Sequence, residues 1–193
     1  MSLNALLKEV RACTLCADQL PLGPRPVVRM TQSARLLIIG QAPGTKVHET
    51  GIPWNDPSGQ RLRDWMQIDP DLFYDDRKIA IMPMGFCYPG RNPKGGDMPP
   101  RPECAPTWHD RLRAHLPHLS LTLLVGSYAQ RRYLGQKQTM TQAVWDFQHH
   151  LKAGILPLPH PSWRTVAWQR KNPWFDTDVL PQLRERVQRI LEI

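Results

Sequence analysis

The chain has 193 residues with an ordinary apolar fraction of 41%, which suits one domain over residues 1–193 built around its own core. No apolar run approaches the roughly 18–20 residues of a membrane span, and the segment from Met1 to Arg11 is charged and lacks the apolar core of a secretion signal, so a cytoplasmic location with no membrane partner is expected. Lys and Arg number 25 against 17 Asp and Glu, and the resulting net charge of +8 favours a polyanionic partner, nucleic acid first.

Residues 4–12 read as a short helix leading into Cys13, and 17–33 as loop. The run 34–39 is apolar and ends in Gly40, the pattern of a strand buried on both faces. A Gly/Pro turn, GQAPG, follows at 40–44. A polar loop then reaches Pro57, and a helix is expected over 58–66 with Ser58 as its cap. A second strand is read at 78–86, a proline-rich loop at 88–106 and a helix at 107–116. The third strand is 121–125, followed by a helix from Ser127 to Gly135. A fourth short strand at 153–158 precedes HPS at 160–162, and an amphipathic helix over 177–192 closes the chain. The 20 prolines concentrate in 21–26, 83–106 and 157–161, which predicts rigid, shaped loops rather than disorder. Strands alternating with helices predict an α/β fold with a mostly parallel sheet. GQAPG, the 83–106 loop and HPS all leave strand ends, so all three should meet at one sheet edge.

Two glycines and a proline directly after a strand make a tight turn with exposed N–H groups, suited to an anion or a carbonyl oxygen. Cys13 and Cys16 form a CxxC pair, and Cys87 and Cys104 flank a second loop. In a cytosolic setting four such thiols point to a metal rather than disulfides, and their spacing suits either zinc or an iron–sulfur cluster. After HPS come Trp163 and Arg164, then Trp168, Gln169, Arg170 and Lys171. Aromatics interleaved with cations suit a wedge or phosphate contacts on DNA, and equally a solvated basic face.

Taken together, a strand ending in GQAPG, the segment GIPWNDPSGQRL from Gly51, and a late strand ending in HPSW resemble the uracil-DNA glycosylase superfamily from Arg11 to about Trp163. The CxxC and the two later cysteines make the resemblance closest to its iron–sulfur families 4 and 5. The resemblance implies a three-layer α/β/α domain with a central four-stranded, mostly parallel sheet, acting as a monomer. It implies excision of a uracil or a related deaminated or modified base from DNA, with a 4Fe–4S cluster on Cys13, Cys16, Cys87 and Cys104 (zinc being the alternative). It places backbone N–H groups of Gln41 and Ala42, with His160, at the base oxygen, and Trp54 stacked on the flipped base. It places Ser162, Trp163 and Arg164, and the basic loop carrying Arg91 and Lys94, against DNA.

The chain departs from the pattern twice. Family 4 has Glu where this chain has Gln41, which cannot act as a base, so the carboxylate role moves to Asp56. That residue also suits a helix cap, and the two roles can coexist. Family 4 also has Asn where this chain has Pro83, so base readout is expected from backbone groups around Met82 to Gly85, with Pro83 and Met84 at its centre. Hypoxanthine, xanthine or a modified pyrimidine are admitted alongside uracil. The same two departures motivate an alternative, a non-catalytic binder of damaged or uracil-containing DNA.

Overall fold

The computed structural model describes residues 1–193. Four strands, β1 (Leu36–Ile39), β2 (Ile79–Ile81), β3 (Leu121–Val125) and β4 (Ile155–Leu158), pair in the order β2-β1-β3-β4, all parallel. Every residue of β1 and β3 is buried, as expected of strands covered on both faces. Side chains alternate between faces, so Leu36 and Ile38 enter one core while Leu37 and Ile39 enter the other. The two cores hold 22 and 20 buried residues, so neither face is left to solvent and three layers result. Pro157 lies in β4, an edge strand, the one place in a sheet where its missing N–H is tolerated.

Ten α-helices complete the fold: α1 (Leu3–Arg11), α2 (Thr45–Thr50), α3 (Pro57–Met66), α4 (Pro70–Phe73), α5 (Cys104–Arg113), α6 (Ser127–Leu134), α7 (Met140–Trp145), α8 (Phe147–Leu151), α9 (Thr165–Lys171) and α10 (Leu180–Leu191). Side chains of α1, α5 and α6 build one core. Those of α3, α7, α8 and α10 build the other. No helix is long and apolar enough to cross a membrane.

Several expectations are corrected. The strand read at 78–86 is ladder only over Ile79–Ile81, because Pro83 interrupts it without an N–H to give. Beyond it the chain still runs beside β1, with Met82, Met84 and Gly85 N–H groups bonding to the Ile38, Gly40 and Gln41 carbonyls. The polar stretch after GQAPG holds α2, a six-residue helix with one buried side chain, Val47, and hence no apolar period to read. The same brevity hides α4, α7, α8 and α9. α5 starts at Cys104 rather than 107, since Pro106 falls in its first turn where no N–H is required. The closing helix is broken: a π-turn, Phe175–Val179, precedes α10, whose first turn contains Pro181. The cap of α3 is Asp56, not Ser58, with an Asp56 oxygen accepting the Gly59 N–H at 2.8 Å.

Behind the 82–86 segment lies a fully buried histidine of α5, His109. Its Nε2 is 3.0 Å from the Pro83 carbonyl and its Nδ1 2.8 Å from the Tyr133 hydroxyl, with Phe86 stacked on the ring at 5.7 Å. The carbonyl can only accept, so Nε2 carries the proton and Nδ1 accepts from Tyr133. Burial pushes His109 down to about 4; the Pro83 carbonyl opposes this, while Arg132 and Arg113 add to it and Asp110 opposes. Because the folded value lies below the unfolded one, the native state has its full advantage above about pH 6.5. That advantage, about 3 kcal/mol, is lost as pH falls toward 4. Urea unfolding across this window is expected to show the decline. A His109→Gln variant is expected to be less stable at neutral pH but flatter below it, and an equally steep decline in the variant places the pH dependence elsewhere.

Candidate functional site

In a parallel sheet of order β2-β1-β3-β4 the chain reverses direction of travel between β1 and β3, and loops leaving those strands part to form a crevice at their carboxyl ends. A cleft of about 610 Å³ lies there. Its walls are Gly40 to Gly44 after β1, Pro83 after β2, the Pro53–Ser58 segment, and His160, Ser162, Trp163 and Arg164 after β4. Ten of the predicted site residues thus line one cavity: Gln41, Ala42, Trp54, Asp56, Pro83, Arg91, His160, Ser162, Trp163 and Arg164.

The GQAPG turn presents donors. Neither Gln41 nor Ala42 N–H donates to any protein acceptor, so two residues of the cleft wall keep backbone N–H groups unused. His160 faces them from the β4 end. Its carbonyl accepts the Ser162 N–H at 2.8 Å and the Thr165 hydroxyl, which fixes the HPS turn on the start of α9. Buried Gln130 of α6 bonds through Nε2 to the Leu124 and Leu158 carbonyls at 3.3 and 2.8 Å, locking the ends of β3 and β4 together beneath the histidine. Burial pushes His160 below the ordinary histidine range, with the Asp56 charge opposing, so at neutral pH the ring is uncharged and able to donate from one nitrogen.

Trp54 forms the wall between them. Its ring centroid is 5.7 Å from that of His160, and a Cβ on Gly40 would lie 2.6 Å from its Cζ2. Its backbone is left-handed, φ 58°, a conformation that bulky residues adopt only when their surroundings impose it. Those surroundings are specific. Tyr74 donates its hydroxyl to the Pro53 carbonyl at 3.0 Å, and buried Arg63 donates to the Trp54 carbonyl at 3.3 Å. The Trp54 carbonyl sits where a Gly59 side chain would be, 1.7 Å from the Cβ position.

Asp56 follows at once as the cap of α3. One of its oxygens is spent on Gly59, and the other makes no protein hydrogen bond. The sequence reading missed a second carboxylate in the cleft, Asp97. It belongs to a hairpin over 90–98, built by an antiparallel bridge between Arg91 and Asp97, Asn92 N–H to the Gly96 carbonyl, and Met98 N–H to the Gly90 carbonyl. Lying in a Gly- and Pro-rich loop with no motif around it, Asp97 offered no signal except its charge amid basic residues. Burial pushes Asp97 above the usual carboxylate range, Arg91 opposes this, and the like charge of Asp56 adds to it. Across the cleft, the Arg164 guanidinium lies against Gly95 and Gly96 and packs over the Trp163 ring at 5.5 Å, while Trp163 itself is 77% exposed.

Two predicted residues do not join the cleft. Met84 points into the core with α1 and α5, because alternation past Pro83 turns it away. Lys94 stands exposed at the hairpin turn, its N–H held by the Asn92 side chain. Readout by donors from the 82–85 backbone is also ruled out, since Met82, Met84 and Gly85 N–H groups are all bonded and Pro83 has none.

The four cysteines converge on a second pocket with Leu20, Pro24, Pro26, Phe86, Arg101 and Trp108. Burial pushes the Cys87 and Cys104 thiols up to about 11, with the Arg25 and Phe86 backbone N–H groups at the two sulfurs opposing and the neighbouring cysteines adding to the rise. Cys16 is raised as well, first by burial and then by the Glu103 carboxylate, 3.7 Å from its sulfur. Four sulfurs, three of them on buried residues and two with backbone N–H groups aimed at them, fit a cationic centre, which would supply the positive charge that the apolar walls withhold.

The Trp54–Gly59 contact has a measurable consequence. Helix propensity alone makes Gly→Ala in α3 stabilising by up to about 1 kcal/mol. At Gly59 the added Cβ meets a backbone carbonyl, so Gly59→Ala is expected to destabilise by about 1–3 kcal/mol in urea unfolding and to alter Trp54 fluorescence. A neutral or stabilising result would show that the Trp54 turn yields.

Comparison with known protein families matches residues 29–184, most of the chain and every strand of the sheet, to the Uracil DNA glycosylase superfamily. The match spans the GQAPG turn, the Trp54–Asp56 segment and the HPS turn that together wall the cleft, and the chain belongs to that superfamily.

Proposed function

We propose that the cleft is the active site of a DNA-repair glycosylase that extrudes a uracil or a related deaminated or modified base and hydrolyses its N-glycosidic bond. Membership of the superfamily implies a glycosylase-type reaction on DNA. One observation carries the finer reading: two unused backbone donors, a neutral histidine and a carboxylate with a free oxygen meet in one cavity. The bond to be broken puts negative charge on the leaving base and positive charge on the sugar. Donors at Gln41, Ala42 and His160 suit the first charge, and Asp56 suits the second. Trp54, Ile81 and Pro83 give the base flat or apolar walls. Arg91 and Arg164 at the rim suit the phosphates on either side of a flipped nucleotide, and exposed Trp163 suits the gap it leaves in the stack.

Cys13, Cys16, Cys87 and Cys104 are proposed to hold a 4Fe–4S cluster. A four-iron cube takes one thiolate per iron, and all four cysteines line one pocket. The cluster supplies positive charge and a cross-link between the N-terminus and the 87–104 loop. Fresh protein is expected to be brown with broad visible absorption, whereas a colourless protein carrying stoichiometric metal assigns zinc.

A single-turnover assay on oligonucleotides carrying uracil, hypoxanthine, xanthine or a modified pyrimidine tests the activity. Wild type is expected to release at least one of these bases, with Asp56→Asn slower by about 100- to 10,000-fold. His160→Ala is expected to be slower by about 100- to 1,000-fold. Affinity should fall steeply with salt. The absence of the family Glu and Asn at Gln41 and Pro83 favours a second reading, a non-catalytic binder of damaged or uracil-containing DNA, and tight salt-dependent binding with no release from any substrate assigns it.

A further inference from the structure

We propose that Asp97, on the hairpin that roofs the cleft, is a second catalytic carboxylate of the glycosylase reaction, accepting the proton of the attacking water while Asp56 faces the sugar. The inference rests on the glycosylase reading and assigns the site a division of labour between two acids.

The geometry begins with the hairpin. It is joined to the GQAPG turn at two points: the Met98 carbonyl lies 3.5 Å from Gln41 Nε2, and the Asp97 carboxylate lies 3.4 Å from where a Gly44 Cβ would be. Its tip meets Arg164 of the HPS turn. Asp97 is therefore held over the cleft from both sides, yet its residue surface remains exposed, which puts the carboxylate at the rim rather than on the floor. A flipped base enters the floor, between Gly40, Trp54 and Pro83, and leaves its sugar and the attacking water at the rim.

The two acids differ in what they have free. Asp56 spends one oxygen on the Gly59 N–H. Asp97 accepts no hydrogen bond from the protein, so neither of its oxygens is spent. The charged groups acting on Asp97 are Arg91 on its own hairpin and Asp56 at the start of α3, while Arg164 of the HPS turn lies against the neighbouring Gly95 and Gly96. Burial and Asp56 raise its proton affinity against Arg91, which makes it a better proton acceptor than an ordinary surface aspartate.

The step balances without any other reactant. The water oxygen bonds to C1′ of the deoxyribose, and the C1′–N bond breaks with its electron pair leaving on the base. The water proton passes to an Asp97 oxygen, and Asp97 returns it to the departing base or to solvent. The base anion rests meanwhile on Gln41 and Ala42 N–H groups and on His160.

The test is single-turnover base release against pH for wild type, Asp97→Asn, Asp97→Glu and Asp56→Asn, with affinity for uncleavable DNA measured alongside. The Asp97 side chain bonds to nothing in the hairpin, so Asn leaves the fold intact. Asp97→Asn is expected to slow release by about 100-fold or more and to move the acid-side fall in rate to lower pH, while binding stays equal or tightens slightly as a negative charge leaves the DNA face. Asp97→Glu is expected to keep the acid-side fall and most of the rate. A wild-type rate in Asp97→Asn, or a loss explained by weaker binding with the acid-side fall intact, overturns the role of Asp97 and leaves the glycosylase reading standing. No release by wild type from any substrate overturns that reading and the role together.

Discussion

The cleft is shaped by one close contact, the seating of Trp54 between two glycines. Its ring lies on Gly40 and its carbonyl on Gly59, at distances that leave no room for a side chain at either position. A left-handed backbone at a bulky residue costs on the order of 1–3 kcal/mol. That cost is offset locally, because Tyr74 and Arg63 each bond a carbonyl of the turn and Arg63 in turn lies over the Phe73 and Tyr74 rings. The turn is therefore over-determined from the helix side. Only Asn55 separates Trp54 from the cap of α3, so the same constraint delivers Asp56 to the cleft with one oxygen already fixed. Wall and carboxylate are positioned by a single packing arrangement.

Electrostatics then follow from enclosure. A bond that breaks into an anion and a cation needs donors on one side and negative charge on the other, without water to blur them. The donors here are backbone N–H groups and a histidine kept neutral by burial, neither of which costs the cleft a net positive charge. Positive charge stands at the rim instead, on Arg91 and Arg164, where it would meet phosphates rather than the reacting atoms.

The sequence displays the parts of this arrangement that depend on local chemistry. β1 and β3 are continuous apolar runs, so their burial on both faces could be read directly. GQAPG and HPS stand at strand ends, which fixes the sheet edge where they meet. The short helices α2, α4 and α7 to α9 escaped because four to seven residues complete too few turns to show a period, and their stability comes from packing. Met84 was misplaced by reasoning from neighbourhood: being beside Pro83 does not give the same facing when side chains alternate. Which backbone N–H groups remain unused is a property of pairing across β1 and β2, and no single segment contains it. Asp97 belongs to the same class, since its role depends on a hairpin folding back over a turn some fifty residues earlier in the chain.

The cysteines tie this architecture to the cleft through chain geometry. Cys87 and Cys104 bracket 16 residues that include the whole 90–98 hairpin. Holding both ends of that loop at one point removes most of the conformations an open loop would sample. What remains is narrowed further by the Gln41 contact at one side and Arg164 at the other. The hairpin carries few apolar contacts of its own, with six of its nine residues exposed, so it has little means to hold its place alone. A metal centre joining the four sulfurs would therefore act on the cleft at a distance: it would not touch the reacting atoms, but would set how often Arg91 and Asp97 stand over them.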